Sequence, residues 1–84
     1  MKFTRVEFTK MVGSNLREKR TSIGFTIEKL AFDSGMDPKQ LIRIELGQIN
    51  TSIFQVYRLS HALNCPVHEI FIFNDSLKSI ELSS

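Results

Sequence analysis

Apolar positions recur along this chain at three- and four-residue spacing, and glycines and capping residues cut the pattern into short helices. In the first, Phe8, Val12, Leu16 and Ile23 form one stripe with Met11 beside it, the spacing of an amphipathic helix. Thr4-Arg5-Val6-Glu7 has the form of a capping box, Thr4 bonding forward and Glu7 reaching back. The helix is therefore predicted to begin between Thr4 and Thr9 and to run to about Ser22. Gly13 interrupts the pattern at a cost of roughly 1 kcal/mol relative to alanine, and marks either a close helix crossing or a looser start. Leu16-Arg17-Glu18-Lys19-Arg20 brings three basic residues towards the helix end, where the dipole favours them. Gly24 then breaks the helix.

From Thr26 to Gly47 the pattern predicts two shorter helices around a tight turn. Thr26 can cap the first, Leu30 and Ala31 give it an inner face, and Ser34-Gly35 ends it. The second has Asp37 as cap and Pro38 at its first position, where a missing N–H costs nothing. Leu41 and Ile44 follow at helical spacing before Gly47 stops it. Helices this short cannot bury a core alone, so the flanking segments must support them.

After the loop Gln48–Thr51, a further helix is predicted from about Ser52 to Leu63, opened by a second capping box of Ser52 and Gln55. Ile53, Val56, Leu59, Ser60 and Leu63 supply its inner face, and Phe54, Tyr57 and His61 a second stripe on another side. Asn64 is the expected left-handed cap and Cys65 a small buried hydrophobe. Pro66 opens a short fifth helix through Phe71. The run Ile70-Phe71-Ile72-Phe73 requires a partner. Asn74-Asp75-Ser76 reads as a turn, with Leu77, Ile80 and Leu82 in a last turn or strand.

Composition sets bounds on this picture. The 84 residues are 42% hydrophobic and 24% charged, which fits one small domain whose core is marginal and gains from dimerisation. The net charge of +2 is unevenly spread: 10 basic against 6 acidic residues through Ser60, and 1 against 3 beyond it. Such a balance permits a phosphate-binding face in the front part of the chain. A single cysteine, Cys65, excludes an internal disulfide and fits a reducing, cytoplasmic setting. No apolar run approaches the roughly 18 residues of a membrane span, and MKFTRVEFTK is not a signal peptide.

Little in the chain points to catalysis. His61 and His68 lack the Cys/His clustering of a metal site, so neither metal nor cofactor is expected. Cys65 has no sequence neighbour that would make it a thiolate nucleophile. Asp33 and Asp37 flank a turn and are read as helix caps. There is no Gly-rich phosphate loop and no nucleophile elbow. An enzyme is not expected.

Taken in order, these residues resemble the Cro/repressor (Xre-type) helix-turn-helix family. The pattern runs through Leu16-Arg17, Arg20, Gly24-Phe25-Thr26, Leu30-Ala31, Gly35-Met36, Leu41, Ile44-Glu45, Gly47, Asn50, Ser52-Ile53 and Ala62-Leu63. The resemblance implies an all-α, five-helix, lambda-repressor-like domain over residues 9–71. Residues 1–8 would belong to or lead into the first helix, and 72–84 would form a short apolar tail. It implies a second helix of the pair that enters the DNA major groove, with Pro38, Lys39, Gln40, Ile42 and Arg43 facing the bases. Arg43 is suited to guanine and Gln40 to adenine or a phosphate. Backbone phosphates would meet Arg17, Lys19, the helix start at Thr26 and Ile27, and the loop residues Gln48 and Asn50. Arg20 and Glu45 would form a structural ion pair that sets the pose of the recognition helix.

The chain departs from the family where Ile27 replaces a usual glutamine, Lys19 a frequent apolar residue, and Ile42 and Leu46 usual polar ones. With Ile49, the last two would give the DNA-facing edge an apolar character. Phe54, Tyr57, Phe71, Ile72 and Phe73 either cover one another, with Phe3 and Phe8 folding back, or build a symmetric dimer. The expected function is a sequence-specific transcriptional regulator binding double-stranded DNA as a homodimer, as repressor or activator. The alternative is a protein-interaction module of the same fold, an antitoxin or adaptor whose partner is a toxin or polymerase.

Overall fold

The structure, a computed structural model, describes residues 2–73. The expected turn at Asn74–Ser76 and the segment containing Leu77, Ile80 and Leu82 lie outside the described residues. Four α-helices follow in order: α1 (Arg5–Ser22), α2 (Ile27–Ser34), α3 (Pro38–Glu45) and α4 (Ile53–Ala62).

Each helix begins where a side chain satisfies its orphan amides. Thr4 accepts from the Glu7 amide at 3.1 Å and the Glu7 carboxylate accepts from the Thr4 amide at 2.9 Å, a complete box. Thr26 and Asp37 cap α2 and α3 by accepting from the amides of Lys29 and Lys39. Between α2 and α3 the chain reverses at Gly35, whose φ of 71° a side chain would resist. Asn64, at φ 56°, turns the chain after α4.

α3 lays its inner face against α1 and α2, and α4 closes the core from the α2 side. Leu16, Leu30, Leu41 and Leu59 are wholly shielded and Ile44 nearly so, each worth roughly 1.5–3 kcal/mol on burial. Gly13 resolves as a close crossing. A Cβ built on it would fall on the Ile44 carbonyl oxygen and stand 2.7 Å from that of Glu45, so α1 rests its backbone directly on the end of α3.

Several expectations are corrected. The fifth helix is not α-helical: residues Val67–Phe71 make a short 3-10 turn after Pro66. Five residues yield too few bonds to offset an α-helical nucleus, and the Asn15 amide on α1 donates to the carbonyls of Ile70 and Ile72 at 2.8 and 2.7 Å. Those acceptors are thereby tied to another helix. The box at α4 is half formed: Ser52 accepts from the Gln55 amide, but the Gln55 side-chain oxygen is buried with no hydrogen-bond partner among the described residues. Ile53, expected inside, is 81% exposed, while Ile49 turns inward onto the core. Cys65 is only half-buried, and burial pushes its thiol pKa up. Asp33 is no cap; it pairs with Lys29 one turn back at 2.9 Å.

The two chain ends meet. Phe73 sets its ring edge-on to Phe3 and Phe8, at 5.7 and 5.3 Å between centroids, and Phe71 stacks on Phe8 at 6.2 Å. Ile70 is fully buried, whereas Ile72 stays exposed.

Candidate nucleic-acid interface

The face of α3 turned away from the core is assembled by helical period alone. Leu41, Ile44 and Glu45 point inward. Pro38, Lys39, Ile42, Arg43 and Leu46 are left exposed, with Gln40 half-buried on the flank. Among the described residues neither Lys39 nor Arg43 takes part in an ion pair, whereas Lys19, Arg20 and Lys29 all do. The cations on this face are therefore uncompensated among the described residues.

The pose of α3 is set from behind. Arg20 Nε donates to Glu45 Oε2 at 2.7 Å and Nη2 to Oε1 at 3.0 Å, while Nη1 donates to the Phe25 carbonyl at 2.8 Å. The side chains are only 11% and 4% exposed. Hydrogen bonding to Glu45 holds the Arg20 pKa above its ordinary value, and one guanidinium ties α1, α3 and the entry to α2 together.

The flanking candidates fall into two groups. Arg17 is exposed on α1 one turn past Gly13. At the start of α2, Thr26 caps the Lys29 amide and leaves the Ile27 and Glu28 amides without an acceptor among the described residues. Gln48 and Asn50 are exposed in the loop after Gly47. Lys19 is placed elsewhere. It lies six residues beyond Gly13, about 120° around α1 from the α3 side, and its ammonium pairs with Glu69 at 2.8 Å. The Lys19–Glu69 hydrogen bond raises the lysine pKa and lowers that of Glu69.

Phe54 and Tyr57 do not join the terminal aromatic cluster. They are 65% and 52% exposed and stack in series with His61 at 6.2 Å steps along the outer side of α4. Sequence reasoning passed over two residues here. Arg58 lies over the Phe54 ring at 5.8 Å and donates to the Gly35 carbonyl at 3.2 Å, and Asn15 fastens the chain end. Their hydrogen-bond partners, Gly35 for Arg58 and Ile70 and Ile72 for Asn15, are distant in sequence. Among the described residues no group of three or more His, Cys, Asp or Glu is arranged to hold a metal, and no helix is long and apolar enough to cross a membrane.

Comparison with known proteins matches the same segment. A family model described as helix-turn-helix fits residues 16–70. An uncharacterized HTH-type transcriptional regulator of Archaeoglobus fulgidus is 31% identical over 62 residues, which cover 74% of this chain and 89% of its own. Another from Sinorhizobium fredii is 33% identical over 58 residues, covering 69% and 75%. Among solved structures, the restriction-modification controller protein C.AhdI from Aeromonas hydrophila superposes with a TM-score of 0.74 at 38% identity, covering 75% of this chain and 96% of that one. The clp gene regulator ClgR from Corynebacterium glutamicum gives 0.77 at 28% identity, covering 90% and 79%.

Proposed function

The chain belongs to the Cro/Xre-type helix-turn-helix family of DNA-binding transcriptional regulators, and on that premise we propose that it reads a specific DNA sequence by laying α3 in the major groove. The observation that carries this is the outer face of α3, where Lys39 and Arg43 project without ion-pair partners among the described residues. The helix is meanwhile pinned from behind by Arg20 and Glu45. Arg43 supplies a planar fork for guanine and Gln40 an amide for adenine. Ile42, also exposed, offers a surface to a thymine methyl. Phosphate contacts, which position the protein and dominate its affinity, are assigned to Arg17, the open amides at Ile27 and Glu28, and the Gln48–Asn50 loop.

The exposed stack of Phe54 and Tyr57 supports assembly of two copies around the outer side of α4. A two-fold dimer presents two recognition helices to half-sites about 34 Å apart, hence to a palindromic operator. Occlusion of a promoter is the simplest regulatory outcome.

A second reading is a protein-docking module of the same fold, and the exposed apolar pair Ile42 and Leu46 on α3 favours it. Binding to genomic and random-sequence duplexes at two salt concentrations, with sedimentation of the free chain, separates the two. The DNA reading expects salt-sensitive binding and a dimer that Phe54→Ala/Tyr57→Ala dissociates. Absence of salt-sensitive binding leaves the docking module.

A further inference from the structure

We infer that Lys10 makes a DNA-phosphate contact, extending the interface along α1 to the point where α3 passes into the Gln48–Asn50 loop. The inference rests on the DNA-binding reading above and deepens it. Gly47, the residue after the cap of α3, has φ 72°. A Cβ there would stand 2.6 Å from Lys10 Cγ, 2.7 Å from its Cα and 3.1 Å from its Cβ. The glycine therefore serves two purposes, allowing the left-handed turn and seating the stem of Lys10 against the turn itself. That seat fixes the root of the side chain beside the loop whose Gln48 and Asn50 are already turned to solvent.

The ammonium is uncommitted. Lys10 is exposed and takes part in no ion pair among the described residues. It also lies in register with Arg17: seven residues separate them, two turns of α1 and about 10.5 Å along its axis. Gly13, where α1 crosses α3, lies between the two. Lys10 and Arg17, two of the α1 cations without an ion pair among the described residues, thus bracket the crossing, with Lys10 against the turn after α3. An ammonium on a flexible stem is a point charge well suited to a phosphate and indifferent to base identity.

Salt titration tests this directly. Wild type, Lys10→Gln, Lys10→Arg and Lys19→Gln are titrated against an enriched duplex and a random-sequence duplex between about 50 and 200 mM salt. The expected result is a slope of log K against log salt that falls in magnitude by about 0.9 per protomer in Lys10→Gln, equally on both duplexes. Lys10→Arg keeps the wild-type slope. Lys19→Gln keeps it too, although it removes the same charge from the chain. A Lys10→Gln slope equal to wild type, or an equal loss in Lys19→Gln, overturns the inference while leaving the DNA reading intact. A wild-type chain without salt-sensitive binding overturns both. Thermal melting of each variant confirms that the exposed substitution leaves the fold in place.

Discussion

Arg20 and Glu45 join α1 to α3 by a two-point grip, at 2.7 and 3.0 Å, two turns along α1 from the glycine at which the helices touch. Removing one partner strands the other almost out of reach of water. Glu45→Ala is therefore expected to lose about 3–5 kcal/mol of stability, the cost of breaking a buried pair on one side. The double variant Arg20→Met/Glu45→Leu should recover a good part of that loss. Urea denaturation of Arg20→Met, Glu45→Leu and the double variant closes the cycle, and simple additivity of these two singles would show that the pair does not act as a unit.

Gly13 gives a contrary sign to an ordinary rule. Alanine in a helix interior usually gains roughly 1 kcal/mol over glycine. Here its methyl group meets the Ile44 and Glu45 carbonyls, and backbone cannot yield as a flexible side chain does. Gly13→Ala is expected to destabilise by about 1–3 kcal/mol, as overpacking does. A melting temperature at or above wild type would mean that the two helices separate at no cost.

Asn15 fastens the chain end to α1 through two carbonyls. In Asn15→Leu both bonds are lost, at about 0.5–1.5 kcal/mol each, and the Phe3–Phe8–Phe71–Phe73 cluster loosens. Hydrogen exchange should quicken at the Phe71 and Ile72 amides and stay unchanged at Leu59. Uniform quickening through the chain would assign Asn15 to the core rather than to the end.

The Lys19–Glu69 pair gives stability a pH window. The folded state holds the Glu69 pKa below its ordinary 4.5. Its contribution is therefore present above that value and is lost as pH falls through the lowered one. Lys19 is held above its ordinary 10.5, so its contribution is complete below that value and is lost as pH rises through the raised one. The melting-temperature gap between wild type and Glu69→Gln should be widest between these limits and vanish in acid. The effect is small, because the pair is partly open to water and screened. A gap that persists unchanged into strong acid would remove the ion pair as its cause.

What could be read from the chain was whatever depends on near neighbours. Thr4 with Glu7, Thr26, Asp37, Gly35 and Asn64 act within a few residues of themselves, so the helix ends were legible. The outer face of α3 was legible for the same reason, since helical period alone places Lys39, Ile42 and Arg43 together. What could not be read depends on partners far along the chain. Lys19 looked like a phosphate ligand until its position against Glu69, 50 residues on, was known. Ile49 and Ile53 are equally apolar, and only the path of the loop decides which turns inward. The chain end after Val67–Phe71 is held by Asn15, more than 50 residues earlier.

The central claim is that α3 reads bases through Lys39, Gln40 and Arg43. Selection of wild type and of Lys39→Ala/Arg43→Ala from a random pool of DNA duplexes tests it most directly. The account predicts that wild type enriches one inverted-repeat sequence with half-sites about one helical turn apart. The double variant, folded to the same melting temperature, should lose discrimination at positions within each half-site, by about 1–3 kcal/mol per lost bidentate contact. No enrichment by wild type, or the same sequence enriched equally by the double variant, would contradict it.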